Sequence, residues 1–341
     1  MRFKRAVGTL AMCVGLGAIA SACSITPYAA KVNGDVISVS ALNNELEQMA
    51  ANKTFVTNIE QSSTGSKVFG QGPGTFNSAF TAKVLNRRVS LVLASQLLSK
   101  ISHPPLRSDL AVALPEAQAS FGGAAVFSKF PKAYQLQAIK DTADIQLLEA
   151  ALEHKSISAT TLRAIYNGNP QQFAQICSSQ ILVGSQALAE AAAAQINAGV
   201  SFASVAKSES KDPNSAANGG AVGCGLLSDY SRVLGQPYEK AIVNLPIGVL
   251  SAPFKGANGW AIVEVTSRNV PSFGQAIPEL VNAQLGSQGN TVLAAAISTA
   301  LKSANIEVNP SYGSLKLVSG QLGIVPPAAP SASALTFFKA P

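Results

Sequence analysis

The chain has 341 residues, enough for about two domains. Its composition, with 47% hydrophobic and 13% charged residues, can bury a core and argues against a largely disordered protein. Three of the basic residues behind the formal net charge of +7 lie in the first five positions, and no Lys/Arg run with interleaved aromatic residues follows. Nucleic-acid binding is therefore not expected. The only histidines are His103 and His154, which argues against a zinc site or a catalytic triad, so we expect no metal and no cofactor.

Residues 1–22 have the features of a secretory signal peptide. The basic start MRFKR is followed by an apolar stretch from Ala6 to Ala20, shorter than the roughly 20 residues that a membrane-spanning helix needs. The stretch ends in ASAC, so cleavage after Ala22 leaves Cys23 as the first residue. We expect an extracytoplasmic protein in which a lipid on Cys23 anchors the chain to the cell membrane. The alternative is a secreted protein with an incidental cysteine.

The segment 27–170 is predicted to be mostly helical. Its first part, YAAKVNGDVIS, alternates apolar and polar residues around Asn33-Gly34, a strong signal for a two-residue hairpin. A helix follows in ALNNELEQMAAN, and residues 54–77 are rich in Gly, Ser and Thr and are expected to form a loop. Helical spacing of apolar residues then predicts amphipathic helices, the clearest in AFTAKVLNRRVSLVLASQLLSK, whose apolar faces pack together.

The segment 175–268 changes character and is predicted to be a compact α+β domain. ICSSQILV reads as a strand, and SQALAEAAAAQINAG and SFASVAKSES read as helices. The loop SKDPNSAANGG leads into a strand, AVGCGLL, a short helix, QPYEKAIVNL, and two final strands joined by a Gly-rich turn. The order β-α-α-β-α-β-β within about 100 residues favours an antiparallel-rich sheet.

The C-terminal part contains one further helical segment. Residues 275–315 are predicted as a helix interrupted by Gly286 and Gly289 and followed by an extended stretch, NIEVNPSYGSL. Residues 326–341 are of low complexity and are expected to be disordered.

Cys177 and Cys224 are the pair left when Cys13 is removed with the signal peptide and Cys23 carries a lipid. Both lie in predicted strands of the α+β domain. In an oxidising compartment an even number of cysteines favours a disulfide between them. The alternative is two small buried side chains.

The motifs SSQILV, INAGVSFASVA, SKDPNSAANGG and GVLSAP, in this order and spacing, resemble the parvulin family of peptidyl-prolyl isomerases. The flanking motifs AAKVNGDVIS, IYNGNPQQF and NIEVNPSYG resemble exported foldases of the SurA and PrsA type. The resemblance implies a helical chaperone domain (27–170) completed by a C-terminal helix, with the parvulin domain (175–268) inserted and residues 275–315 packed on the first domain.

The same resemblance implies a site. It assigns catalytic positions to Asp212, which faces the bound prolyl peptide, and to Gln180, which stands where the family has a histidine in the first strand. Positions that bind the substrate are Val222, Leu234, Tyr238 and Asn258, although Val222, Leu234 and Tyr238 could equally be plain core residues. The sequence departs from the family at Ala261, where a second histidine is usual, and at Ala221, where an acid usually follows Gly-Gly.

These features leave three functions open. The first is an anchored foldase with prolyl isomerase activity on unfolded or newly exported polypeptides that contain Xaa-Pro bonds. The second is a chaperone whose parvulin domain binds peptides without catalysis, which the missing histidines favour. The third is a lipoprotein scaffold for a fixed envelope partner, for which no sequence feature argues.

Overall fold

A computed structural model of the chain describes residues 27–62, 65, 67–286, 289–318 and 321–328. Three predictions lie outside the described residues: the signal peptide (1–22), the lipidation site Cys23 and, from residue 329 onward, the disordered tail predicted over 326–341. Within the described ranges, no helix is both long enough and apolar enough to cross a bilayer.

The helices and strands of the described chain have the following bounds. The helices are α1 Val39–Ala51, α2 Lys53–Gln61, α3 Ser78–Ile101, α4 Arg107–Ser120, α5 Ala124–Phe127, α6 Lys132–Leu152, α7 Ala159–Gly168, α8 Gln186–Asn197, α9 Phe202–Glu209, α10 Leu227–Leu234, α11 Gln236–Ile242, α12 Phe273–Leu285 and α13 Gly289–Ser303. The strands are β1 Tyr28–Val32, β2 Asp35–Ser38, β3 Gln175–Val183, β4 Ala221–Leu226, β5 Phe254–Gly256, β6 Gly259–Asn269, β7 Ile306–Val308, β8 Ser314–Val318 and β9 Gln321–Val325.

A small sheet joins the two ends of the helical part. β1 and β2 form the predicted hairpin, and Asn33 and Gly34 adopt positive φ angles of 52° and 96°, as a tight two-residue turn requires. On its other edge β1 pairs antiparallel with β7, with Ala30 opposite Val308. β1, near the start of the described chain, is therefore held in the sheet by β7, a strand from the C-terminal part.

The helical core forms around α3, which buries Leu85, Val89 and Leu93 against neighbouring helices. Phe121 and Phe130 pack edge-to-face with their ring centroids 5.5 Å apart and add aromatic area to the same core. Helical spacing therefore predicts the helix correctly but not its amphipathic character, because Phe80, Leu85 and Leu93 are buried on different sides of α3.

The predicted loop over residues 54–77 is wrong at its beginning, because α2 continues to Gln61. Asn52 caps this helix: its side-chain oxygen accepts from the Phe55 amide at 3.2 Å, and its Nδ2 donates to the Val126 carbonyl at 2.9 Å. Phe55 and Val56 are buried. The cap and this buried pair decide the local structure, whereas the Gly- and Ser-rich composition belongs to the residues that follow.

The C-terminal segment lies against the helical part. The interrupted helix is two helices, α12 and α13, and α12 ends at Gly286, which has a φ of 72°. α12 contacts α4 and α7, whereas α13 contacts α3 and α6. The hairpin β8–β9, which the sequence did not predict, buries Ile324, and the Asn86 side chain bonds both backbone polar groups of Ile324.

The α+β domain is built on one antiparallel sheet in the order β4-β3-β6-β5. Ile181 lies opposite Ile262 in the sheet, and both pack on α8 and α9. The neighbouring pair, Gln180 and Val263, faces the other side, where α10 and α11 lie. The mixed α+β class with an antiparallel sheet is confirmed, but β4 and β5 are joined by two helices instead of one. The additional helix is α10, which forms because it buries Leu227 and Tyr230.

Candidate functional site

The loop between α9 and β4 is tied to the end of β3. Its Lys211 amide donates to the Leu182 carbonyl at 2.7 Å, and its Ser210 hydroxyl accepts from the Leu182 amide at 3.1 Å. Gly220, with a φ of 85°, lies so close to β3 that an added Cβ would meet the Gln180 carbonyl oxygen at 2.5 Å. The second glycine of Gly-Gly is therefore required both by backbone conformation and by space.

Asp212 is the third residue of this loop and is almost buried, with 7% of its surface exposed. Its Oδ2 accepts from Gln180 Nε2 at 2.7 Å and from the Ser215 hydroxyl, and its Oδ1 accepts from the Asn214 amide at 3.2 Å. Burial raises the pKa of the Asp212 carboxyl, but these hydrogen bonds outweigh it and bring the pKa below its usual value. Asp212 is thus an oriented, ionised carboxylate at neutral pH.

An aromatic wall stands across from this carboxylate. Tyr238 of α11 is 2% exposed, stacks on Tyr230 with ring centroids 5.5 Å apart, and meets Phe254 edge-on at 6.0 Å. The hydroxyls of Tyr238 and Ser178 share a hydrogen bond of 3.0 Å. Burial raises the pKa of Tyr238, so its phenol stays neutral at physiological pH. Because its hydroxyl is hydrogen-bonded to Ser178, Tyr238 presents only its apolar ring to the cleft.

One cleft of about 370 Å³ lies between the carboxylate and the aromatic wall. It is lined by all the catalytic and binding positions that the sequence suggested: Gln180, Asp212, Val222, Leu234, Tyr238 and Asn258. Asn258 lies at its exposed rim, in the turn between β5 and β6. A cleft of this size, which combines apolar walls with convergent polar groups, is typical of a small-ligand site.

Sequence reasoning missed several residues of this site. Phe254 and Val233 line the cleft, Ser215 bonds the carboxylate, and Ser178 bonds the Tyr238 hydroxyl. Ser215 had a signal, because Asp followed by Ser three residues later favours a local side-chain bond. Ser178 had none, because its partner lies 60 residues away in the chain.

The cleft contains no histidine. Gln180 and Ala261, at which the resemblance predicts a pair of histidines, both line the cleft from neighbouring strands. His103 follows α3 and His154 follows α6, so both lie in the helical part. Ala261 offers no polar side chain, whereas the Gln180 amide reaches Asp212. The site therefore orients the Asp212 carboxylate, but it has no histidine through which a proton could be relayed.

Cys177 and Cys224, the cysteines expected to pair, form a disulfide in the structure. They lie directly opposite each other on β3 and β4 and thus bind the edge strand β4 to the centre of the sheet. β4 also carries Val222 of the cleft. The bond therefore secures one wall of the site.

The helical part contains a second cavity, of about 560 Å³, between α2, α3, α4, α6 and α12. Its apolar lining includes Phe55, Phe121 and Val281, and charged residues such as Arg87 and Glu116 also border it. Nowhere among the described residues could a group of three or more His, Cys, Asp or Glu side chains hold a metal ion.

The sequence of this domain matches a known family. Residues 182–267 match the model described as rotamase, a PPIC-type PPIase domain. The chain therefore contains a peptidyl-prolyl isomerase domain of the parvulin type, and the resemblance seen in its motifs is confirmed.

Among curated relatives, the chain is 33% identical over 135 residues to the foldase protein PrsA of a Geobacillus species, a match that covers 39% of this chain and 46% of that protein. It is 40% identical over 74 residues to the chaperone SurA of Pseudomonas fluorescens, covering 22% of this chain and 16% of the relative. The matched segments thus span less than half the length of these relatives. The crystal structure of PrsA from Bacillus cereus aligns with 82% of this chain and 92% of that one, at 17% identity and a TM-score of 0.35.

Proposed function

We propose that this protein is an extracytoplasmic folding factor whose PPIC-type domain binds prolyl segments of unfolded or newly exported polypeptides and accelerates their cis-trans isomerisation. One observation carries the proposal: the ionised carboxylate of Asp212 and the aromatic wall of Tyr238 and Phe254 face the same cleft. The apolar wall can bind a proline ring, and the charge can change the barrier to rotation about the adjacent amide bond.

The proposed catalysis is electrostatic and breaks no covalent bond. Amide resonance places partial negative charge on the carbonyl oxygen and sets a barrier of about 18–20 kcal/mol to rotation. A carboxylate held beside that oxygen disfavours the charge-separated form and so weakens the partial double bond of the ground state. Gln180 and Ser215 keep Asp212 ionised and oriented, while Tyr238 and Leu234 hold the ring. Each 1.36 kcal/mol removed from the barrier is about a tenfold gain in rate.

The helical part is proposed to supply chaperone binding. We divide the protein into a helical chaperone domain (27–170), the isomerase domain (175–268) and a C-terminal segment (275–315) that packs on the first. The cavity beside α12, with its apolar walls, supports a client surface in the helical domain. If so, the intact chain suppresses aggregation of an unfolded client even with Tyr238→Ala. Loss of suppression in that variant would place the client surface in the isomerase cleft instead.

The location outside the cytoplasm is supported by the disulfide, since such bonds persist in oxidising compartments. We further propose that residues 1–22 direct export and that a lipid on Cys23 anchors the protein to the membrane. Mass spectrometry of the purified N-terminal peptide tests this: a free Cys23 thiol would overturn the anchor.

The isomerase proposal is tested by NMR exchange spectroscopy on an Ala-Pro peptide. The wild-type chain should catalyse the exchange, and Asp212→Ala should lower the catalysed rate at least tenfold, a loss of about 1.4 kcal/mol of barrier reduction. Glu190→Gln is the matched control, because Glu190 is an exposed acid on α8 away from the cleft. If Asp212→Ala and wild type isomerise equally fast, Asp212 has no catalytic role.

A second candidate is a chaperone whose parvulin domain binds but does not isomerise. Ala261 favours it, since this position offers no polar group to the cleft. In the same experiment, peptide shifts on binding without any catalysed exchange would identify this function.

A further inference from the structure

The hairpin β8–β9 has one open edge. It forms a two-stranded sheet of its own, in which β9 contacts α3 and β8 is the outer strand. Within the described ranges, β9 is the only strand that pairs with β8. Four of the five residues of β8 are exposed, among them Leu317 at 67% and Val318 at 52%. An open edge of this kind is a place where another strand can add to a sheet.

The hydrogen bonds of Asn86 show which backbone groups of β8 face this edge. The Asn86 side chain accepts from the Ile324 amide at 2.6 Å and donates to the Ile324 carbonyl at 2.9 Å, so both groups point away from β8. Ile324 lies opposite Leu315, and the two are therefore a non-hydrogen-bonded pair of the ladder. The N–H and C=O of Leu315 point outward as well, and so do those of Leu317, two residues further along.

Lys316 lies at the centre of the open edge. Across the hairpin it faces Gly323, which has no side chain, and it forms no ion pair with any residue that the structure describes. A lysine on an edge strand commonly protects a protein against the addition of further strands. Its charge also favours one kind of strand, because a carboxylate at the facing position of a neighbouring strand stabilises the pairing.

A second copy of this chain does not suit the edge. Two β8 strands that pair antiparallel through Leu315 and Leu317 place Lys316 of one copy directly opposite Lys316 of the other. This is a non-hydrogen-bonded position, where the side chains of an antiparallel pair come closest. Like charges directly opposite each other destabilise the pairing. The charge therefore favours a different strand as the occupant.

We propose that the β8 edge binds an extended segment of an unfolded polypeptide as an additional antiparallel strand, and that it prefers segments with an acidic residue between two apolar residues. The acidic residue faces Lys316, and the apolar residues face Leu315 and Leu317. The backbone groups of these two leucines exchange hydrogen bonds with the added strand. The proposal rests on the proposed function as a folding factor for polypeptides, but not on the binding of proline in the cleft.

A short peptide without proline tests the edge, because it has no proline ring for the isomerase cleft. Acetylated and amidated Thr-Val-Glu-Val-Thr is titrated into the intact, isotope-labelled chain and followed by NMR, with Thr-Val-Lys-Val-Thr as its counterpart. The Glu peptide should shift the amide signals of Leu315 and Leu317 and slow their hydrogen exchange. It should bind about fivefold more tightly than the Lys peptide, because opposite charges replace like charges. Equal affinity of the two peptides, or no binding of either, would overturn the proposal.

Leu317→Pro is the decisive variant. Proline removes an outward N–H that β9 does not use, so the ladder of the hairpin is kept. Leu317→Ala is the matched control, since it removes the same side chain and keeps the N–H. The proline variant should bind the Glu peptide about fivefold more weakly than the alanine variant, as expected for the loss of one hydrogen bond. Equal affinities of the two variants would mean that no strand adds at this edge.

Lys316→Glu tests the charge and serves if the proline variant does not fold. It should reverse the preference, so that the Lys peptide binds more tightly than the Glu peptide. Lys207→Glu makes the same change at an exposed residue of α9 and should keep the preference of the wild type. A preference that does not reverse in Lys316→Glu would contradict the proposal.

Two other occupants of the edge give distinct results, and either would overturn the proposal. If the same amide signals shift with protein concentration alone, a second copy occupies the edge. If Leu315 exchanges slowly in the monomer without peptide, the chain itself covers the edge. An Ala-Pro peptide, titrated separately, reports on the isomerase cleft: if it binds and the Glu peptide does not, only the edge proposal fails. If the Glu peptide binds and the Ala-Pro peptide does not, only the cleft fails.

Discussion

Gln180 donates its side-chain amide to Oδ2 of Asp212 at 2.7 Å, from the central strand of the sheet to the loop that edges the cleft. An amide does not titrate, whereas a histidine changes its charge near neutral pH. The support that Gln180 provides to the carboxylate is therefore the same across the physiological pH range. This pair also explains how the site orients its acid although the domain lacks the histidines usual in the family.

The ionised Asp212 should stabilise the fold in a pH-dependent way. Its folded pKa lies below its usual value, and the unfolded value is about 3.9. The contribution is thus complete above the unfolded pKa and is lost as the pH falls through the lower, folded pKa. In urea unfolding at pH 6 and pH 2.5, wild type should lose more stability than Asp212→Asn. Glu190→Gln should behave as wild type, and equal losses in wild type and Asp212→Asn would contradict the argument.

The bond between Tyr238 and Ser178 should be worth about 1 kcal/mol. Tyr238→Phe leaves the buried Ser178 hydroxyl without this partner, at a cost of about 1–3 kcal/mol, but keeps the aromatic wall. The second change, Ser178→Ala, should then cost little in the Phe background. Chemical denaturation of the two single variants and the double variant measures the coupling. The affinity for prolyl peptides should be unchanged in Tyr238→Phe. If the losses of unfolding free energy in the two single variants add up to the loss in the double variant, the hydrogen bond does not contribute to stability.

Removing the disulfide should destabilise the isomerase domain more than it alters the cleft. Cys177 and Cys224 are separated by 47 positions, and closing a loop of this length stabilises a fold by about 4 kcal/mol in the chain-entropy model. The double variant Cys177→Ser/Cys224→Ser should unfold at lower denaturant concentration, as reduction of the wild type should. Two reactive thiols in the native, unreduced protein would show that the bond does not form.

The helical part should depend on a buried charge network. Arg88 contacts Glu45 at 2.8 Å and Asp141 at 3.0 Å, and both acids are nearly buried. Arg88→Met leaves the two buried carboxylates with Arg87, which contacts Glu45 at 3.1 Å and Asp141 at 3.7 Å, so we expect a loss near the lower end of the about 3–5 kcal/mol that an unpaired buried charge costs.

The control for the network is Lys31→Met, which breaks an exposed pair with Glu307 and should cost at most about 1 kcal/mol. Thermal or urea unfolding compares the two variants. Similar losses would mean that burial of the network does not matter.

Much of the molecule follows from local sequence. Asn33-Gly34 specifies the hairpin turn because few residues accept two successive positive φ angles. The spacing of apolar residues predicts α3 as a helix, although its buried residues lie on several sides of it. The motif from Asp212 to Gly220 sets the loop, since the carboxylate can bond its own neighbours and glycine alone fits beside β3.

Only tertiary structure decided the rest. The pKa of Asp212 is lowered first by its neighbour Ser215 and then by Gln180, 32 positions away. The cleft exists because β3, β4, β5, α10 and α11 converge. α2 and α10 were missed although each begins with a local hydrogen bond, from the Asn52 cap and from Asp229. Their burial of Phe55 and Tyr230 against distant parts of the chain needs the tertiary structure. Local patterns specify turns through backbone sterics, and they specify helices through the periodic spacing of apolar residues. Which faces meet, and which polar groups then find partners, depends on contacts between residues far apart in sequence.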